Sequence, residues 1–221
     1  MALLKKTRKC GEKMSKINLD GLNDMQYDIL KEIGNIGAGN ATTALSKMLN
    51  MKMDMSVPNV ALTPFKDISS FIGSEDQPVV GILLGIEGDI DGMMMFIFDM
   101  ASAHHLVNTL MMKQDINDND TKDAFSDFEM SALNEIGNIV SGSYLTALAT
   151  LTNMKMISTV PTISIDMIGA MLSVPAAEFG KYGDKMLLIQ SQFGECDFVN
   201  GYFLLIPELE SYDKILSSLG M

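Results

Sequence analysis

The sequence predicts an α+β fold in which two duplicated halves, related by a pseudo-two-fold axis, form a single domain. Residues 23–60 repeat at 126–163 with 17 of 38 positions identical, which indicates one structural unit used twice. Each copy shows the pattern of a long helix, several strands and a short closing helix. A copy of about 100 residues alone would have a thin core. We therefore expect both copies to build one mainly antiparallel shared sheet, with the two long helices packed on it.

Each copy opens with a signal for the start of a helix. Asn23 with Gln26, and Ser126 with Glu129, have the spacing of a capping box. Apolar residues then recur at helical spacing and are expected to face the core. These residues are Ile29, Ile33 and Ile36 in copy one, and Ala132, Ile136 and Ile139 in copy two.

Each long helix is followed by predicted strands and a short closing helix. The long helices are expected to end near Asn50 and Asn153, because Pro58 and Pro161 do not fit a continuing helix. In copy one the predicted strands are 57–63, 79–87 and 93–98, and the closing helix is 101–112. In copy two the predicted strands are 159–165, 185–193 and 202–206, and the closing helix is 209–219.

Charge divides the chain into a tail and an acidic body. We predict a basic flexible tail at residues 1–20, repeat one at 21–113, an acidic linker at 114–123 and repeat two at 124–221. The formal net charge is −12; residues 1–16 hold six Lys and Arg with one acid, a net of +5, so the rest carries −17. Such a body would repel nucleic acid, which binds basic surfaces. No nucleic-acid partner is expected.

The hydropathy pattern predicts a cytoplasmic protein without membrane insertion. No apolar stretch reaches the ~20 residues that span a bilayer, and the first residues lack the apolar segment of a secretion signal. Cys10 and Cys196 have no CxxC spacing, so neither a disulfide framework nor a zinc site is indicated.

A polar stripe along each long helix is the candidate functional site. Helical spacings of three, four and seven residues share one face. The stripe consists of Asp28, Glu32, Asn35 and Gly39 in copy one, and of Ser131, Glu135, Asn138 and Gly142 in copy two. One such stripe would usually be solvated helix surface. Its retention in both copies, while the neighbouring Lys31 and Asn134 differ, favours a function. Gly34 and Gly137 are instead assigned to close helix packing.

A carboxylate and an amide together can hold and orient a water molecule. Histidine catalysis is not expected, because His104 and His105 have no counterparts in copy two and are predicted to lie at the surface. Glu and Asn three residues apart are a poor metal set, and no nucleotide-binding loop is present, so no metal or cofactor of its own is expected. Arg8 is the only arginine. A phosphorylated substrate would therefore need cations supplied by a partner.

The stripes resemble the motif of the CheC/CheX/FliY family of chemotaxis phosphatases. The spacing is Asp or Ser, three residues, Glu, two residues, Asn, twenty-two residues and Pro. It occurs as Asp28, Glu32, Asn35 and Pro58, and again as Ser131, Glu135, Asn138 and Pro161. The resemblance covers about residues 20–221. Two motifs in so short a chain are similar to the CheC type rather than to CheX, and the additional switch domain of FliY-like proteins is missing.

The resemblance implies hydrolysis of the aspartyl phosphate on a CheY-like response regulator. It implies that Glu32 and Glu135 contact the regulator, that Asn35 and Asn138 orient the attacking water, and that the regulator carries the magnesium. It also implies exposed long helices and the deamidase CheD as a second partner. Two built-in halves favour a monomer. Two alternatives remain: a non-enzymatic adaptor that binds the regulator or CheD, and an independent metal hydrolase.

Overall fold

The computed structural model of the protein describes residues 22–55, 59–64, 67, 69–112, 124–179, 185–194 and 201–220. Copy one contains α1 (Asp24–Leu49), β1 (Asp54–Met55), β2 (Asn59–Pro64), a 3₁₀ turn (Ser69–Phe71), β3 (Pro78–Gly88), β4 (Gly92–Asp99) and α2 (Met100–Leu110). Copy two contains α3 (Asp127–Thr152), β5 (Met156–Ser158), β6 (Thr162–Met167), α4 (Ile168–Phe179), β7 (Lys185–Gly194), β8 (Gly201–Pro207) and α5 (Leu209–Ser218). The predicted tail, the predicted linker and Pro58 lie outside the described residues.

The capping signals define both ends of the long helices. Asn23 and Ser126 form the predicted capping boxes, each with the residue three positions later. At the other end, Asn50 and Asn153 adopt the left-handed conformation, with φ of 51° and 53°. Asn tolerates this conformation and commonly ends a helix there. Both helices therefore begin and end where the sequence predicts, and with 26 residues each they are longer than the roughly twenty residues expected.

The eight strands form one shared sheet, and every pairing in it is antiparallel. Its order is β1-β7-β8-β4-β3-β5, with β2 also on β7 and β6 also on β3. Strands of copy one thus pair with strands of copy two at the centre, where β4 meets β8, and at both sides. The shared sheet that the duplication predicts is confirmed.

The two faces of the sheet are covered differently. Alternate residues of β4 and β8 belong to two separate apolar clusters, as expected when successive side chains point to opposite faces. The larger cluster joins one face to α1, α2, α3 and α5. The smaller one joins the other face to α4, through Ile168, Met171 and Leu172. The long helices therefore lie on the sheet and keep an outer face for solvent.

The two long helices pack against each other in opposite directions. A Cβ atom added at Gly37 would lie 2.6 Å from the ring of Tyr144, so the backbone of α1 touches that ring. Four residues further along α1, Ala41 lines the same small cavity as Val140, which lies four residues earlier in α3. A step forward along α1 thus matches a step backward along α3. The crossing centres on Gly39 and Gly142.

Two expectations need correction. The sequence pattern does not predict α4, a helix of 12 residues with Pro175 inside it, which is unusual because proline disrupts a helix interior. His104 is not a surface residue: it is 4 % exposed and stacks on Phe125, with ring centroids 4.0 Å apart. Phe125 precedes the cap of α3, so this contact ties α2 to the start of that helix.

Among the described helices, none is both long and apolar enough to cross a bilayer.

Candidate functional site

The two polar stripes lie on the exposed faces of α1 and α3. Their exposed members are Asp28, Glu32 and Asn35 in α1, and Ser131, Glu135 and Asn138 in α3. The opposite faces of the same helix turns are buried, since Ile33 and Ile136 are each 1 % exposed. The predicted stripe residues are thus brought together in both copies, and a large partner can reach them from solvent.

The acid and amide side chains are held by no other part of the described chain. Across the described ranges, the two Glu and two Asn side chains form no hydrogen bond and no ion pair. The first stripe residue differs between the copies. The Ser131 hydroxyl donates to the backbone carbonyl of Asp127 at 2.9 Å, whereas the Asp28 carboxylate has no such bond to a described residue. Each Glu and Asn pair is therefore free to engage a visiting molecule.

The glycines of each helix have two distinct environments. A Cβ atom added at Gly39 or Gly142 would meet nothing within 4 Å, so these positions leave the stripe open. A Cβ atom at Gly137 would lie 2.7 Å from the Ile82 side chain of β3 and 3.7 Å from Pro161. Gly137 therefore lets α3 approach the sheet closely, as the sequence predicts, and Pro161 is buried.

A shallow groove of about 760 Å³ runs between the two helices. Asn138 and Gly142 of the second stripe line it, and on α1 it reaches Ile36, the neighbour of Asn35 in the first stripe. Its floor and walls are small or uncharged apart from Lys47. The groove therefore extends from the second stripe to the edge of the first.

Sequence reasoning did not single out two threonines that also line this groove. The Thr43 and Thr146 hydroxyls donate to the carbonyls of Gly39 and Gly142, at 2.8 and 2.7 Å. Their identity at equivalent positions of the repeat is the signal that could have found them. Lys47 was also missed; its counterpart in copy two is Thr150, so the repeat gave no signal for it.

In the part of the chain that the structure describes, no three His, Cys, Asp or Glu side chains come together as a metal-binding group. The chemistry open to each stripe is therefore hydrogen bonding and charge: a carboxylate accepts, and an amide both donates and accepts.

Comparison with known proteins identifies the family. The model of the CheC-like family matches residues 25–62 and 128–165, which include both stripes. The CheY-P phosphatase CheC of Bacillus subtilis (strain 168) is 36% identical over 205 residues, covering 91% of this chain and 97% of that protein. The chain belongs to the CheC-like family.

Solved structures show the same fold. The crystal structure of Thermotoga maritima FliY matches with a TM-score of 0.69 and 19% identity, covering 90% of this chain and 97% of that one. A chain of the CheX-CheY-BeF3-Mg+2 complex from Borrelia burgdorferi matches with a TM-score of 0.53 and 17% identity, covering 80% of this chain and 96% of that one. The CheC-like fold of two pseudo-symmetric halves is thereby confirmed.

Proposed function

We propose that this chain is a chemotaxis phosphatase that hydrolyses the aspartyl phosphate of a CheY-like response regulator. The observation that carries the proposal is the duplicated Glu and Asn pair, exposed on one outer surface and free of partners within the described chain. The relative named CheY-P phosphatase CheC, which this chain matches over almost its full length, supports the same activity. The protein is accordingly an enzyme, a protein phosphatase.

Each pair has a distinct role in the proposed mechanism. Glu32 or Glu135 docks against the regulator by accepting hydrogen bonds from a cationic group, such as an active-site lysine. Asn35 or Asn138, one turn further along the same face, enters the phosphoryl site. Its amide oxygen accepts from the attacking water and its amide nitrogen donates to a neighbouring oxygen, which fixes the water in line with the bond that breaks.

The reaction is a direct transfer of the phosphoryl group to water. The water oxygen forms the new bond to phosphorus, the bond between phosphorus and the regulator's carboxylate oxygen breaks, and the products are inorganic phosphate and the free aspartate. The transition state is loose, so catalysis depends mainly on charge neutralisation and on an aligned nucleophile. The regulator would supply the charge neutralisation through its magnesium and lysine. This chain would supply the alignment of the attacking water.

Magnesium is proposed for the partner and not for this chain. The CheX-CheY-BeF3-Mg+2 complex from Borrelia burgdorferi contains magnesium together with CheY. The only carboxylate that both stripes share is the Glu, since Ser131 stands where the first copy has Asp28, and Glu with Asn is a poor magnesium set. The chain's own residues would orient the water and the regulator.

Three further expectations remain proposals. CheD as a second partner rests on the resemblance alone, and the cytoplasm as the compartment rests on the hydropathy pattern of the sequence. A monomer rests on the two built-in halves.

The test is the double variant Asn35→Ala with Asn138→Ala, added to a cognate regulator labelled with phosphate. We expect the accelerated decay of the phosphoryl label to disappear, and each single variant to keep part of it. Asn134→Ala removes an amide from α3 outside the stripe and should stay within about twofold of the unmodified protein, on the scale of a surface substitution. Normal dephosphorylation by the double variant would disprove the mechanism, and binding without any acceleration would favour the adaptor.

A further inference from the structure

The separation of the two stripes follows from the helix crossing. Asn35 lies four residues before Gly39, and Asn138 lies four residues before Gly142, on helices that run in opposite directions. With a rise of 1.5 Å per residue, the two amides lie about 12 Å apart along the helices. Packed helices are about 8–10 Å apart, so the two Asn Cα atoms lie on the order of 15 Å from each other.

The two stripes also face the same side of the molecule. Both are exposed on helices that cover the same face of the sheet, and the groove between these helices extends from Asn138 to Ile36, the neighbour of Asn35. Between them, Gly39 and Gly142 leave open space above the backbone at the crossing, since a Cβ atom at either would meet nothing within 4 Å. A partner that approaches one stripe therefore approaches the other as well.

The footprint of a regulator is larger than this separation. A stable protein interface buries about 800 Å² on each partner, which as a round patch has a radius of roughly 16 Å. A domain of roughly 100–150 residues is itself about 30–35 Å across. A regulator centred on Asn35 would thus cover the surface out to Asn138. A second regulator on the other stripe would clash with the first.

We propose that the two sites are alternative positions for one regulator, so that the chain binds a single phosphorylated regulator domain at a time. The duplication then provides two equivalent orientations of approach, related by the pseudo-two-fold axis, without doubling the number of regulators bound. This inference rests on the proposed function, because it takes both stripes as docking sites for the same partner.

The first test is the stoichiometry of binding. The full chain is titrated with a regulator held in its phosphorylated form by magnesium and beryllofluoride, and complexes are counted by native mass spectrometry and by calorimetry. We expect one regulator per chain even at a large excess. Glu32→Lys and Glu135→Lys, which reverse the charge of one stripe each, should both retain a stoichiometry of one with weaker affinity. The double charge reversal should lose binding.

A kinetic test separates alternative sites from independent ones. For sites of equal affinity, Asn35→Ala should lower kcat about twofold in either case. Adding Glu32→Lys blocks docking at the inactive site, so bound regulators move to the active one. Alternative sites then predict that kcat returns towards the value of the unmodified protein, while independent sites predict that it stays halved.

Each outcome has one meaning. Two regulators per chain with dephosphorylation intact would overturn the shared footprint and leave the proposed function standing. A kcat that stays halved when Glu32→Lys is added to Asn35→Ala would also overturn the shared footprint and leave the proposed function standing. No binding and no acceleration of dephosphorylation would overturn the proposed function, and this inference with it.

Discussion

The outer surfaces of α1 and α3 match each other, whereas the contacts between the two helices do not. On the outside, Glu, Asn and Gly recur at the same spacing in both copies. At the crossing, the pseudo-two-fold axis exchanges Gly37 with Val140 and Ala41 with Tyr144. One of the two equivalent contacts therefore places a large ring on a bare backbone, and the other faces Ala with Val beside a small cavity.

Different constraints act on the packed interior and on the exposed stripes. A packed interior accepts different residues as long as the total volume and shape fit. An exposed stripe gains nothing from packing, so an identical pattern in both copies points to a shared chemical task. Substitutions at these inward-facing positions should therefore change the stability of the protein differently in the two copies.

The largest effect is expected at Tyr144. Its side chain is fully buried, lies on the backbone of Gly37 and packs on Phe203, with ring centroids 4.0 Å apart. Tyr144→Ala should lower the free energy of unfolding by about 3–5 kcal/mol, through lost apolar burial and the cavity left behind. Chemical denaturation of the full chain measures this change.

Tyr144→Phe is the matched control. Among the described residues the Tyr144 hydroxyl has no hydrogen-bond partner, and burial raises its pKa, so it stays neutral. Removing it should leave stability unchanged or raise it by about 1 kcal/mol, since a buried unpaired polar group is costly. A loss for Phe as large as that for Ala would show that the hydroxyl, and not the ring, stabilises the crossing.

The next effect concerns two glycines of α1 that are two residues apart. Gly37→Ala would place a methyl group 2.6 Å from the Tyr144 ring and should destabilise the protein by about 1–3 kcal/mol through overpacking. Gly39→Ala meets nothing within 4 Å and should stabilise it by about 0.5–1 kcal/mol, because Ala is the better helix former. Thermal unfolding of both variants checks this pair. Shifts of the same sign would contradict the described crossing.

The sequence could predict those parts of the fold that depend on local interactions. Both capping boxes involve residues three positions apart, and the stripes follow from helical spacing alone. In contrast, α4 contains Pro175 and is stabilised by its packing on the far face of the sheet, which no local pattern records. The burial of His104 depends likewise on Phe125, which lies beyond the linker. Tertiary packing therefore determines both the helix α4 and the burial of His104.

The candidate site shows the same division. Its Glu and Asn residues could be predicted because each stripe belongs to one helix. The groove could not, because it depends on how α1 and α3 are placed against each other. Lys47 entered the site only through that placement, and the equivalent position of the repeat is the uncharged Thr150.

The smallest expected effect tests this asymmetry. Lys47 lies eight residues after Gly39, so the antiparallel crossing places it at the height of Asn134, next to Glu135, while Thr150 takes the equivalent place next to Glu32. An ammonium group there competes with the regulator for Glu135 and repels a cationic docking group. In the Glu32→Lys, Asn35→Ala background, where only the second site docks the regulator and is active, Lys47→Thr should lower KM about two- to threefold, within the range of an exposed charge interaction.

The measurement is the initial rate of dephosphorylation against regulator concentration, at low salt and at about 0.5 M salt. Since salt screens exposed charges, the difference in KM should shrink at the higher concentration. The reciprocal change, Thr150→Lys in the Glu135→Lys, Asn138→Ala background, should raise KM, and Lys47→Arg should leave it unchanged. A higher KM for Lys47→Thr would reverse the assignment, because Lys47 would then attract the regulator's phosphoryl group instead of opposing its docking cation.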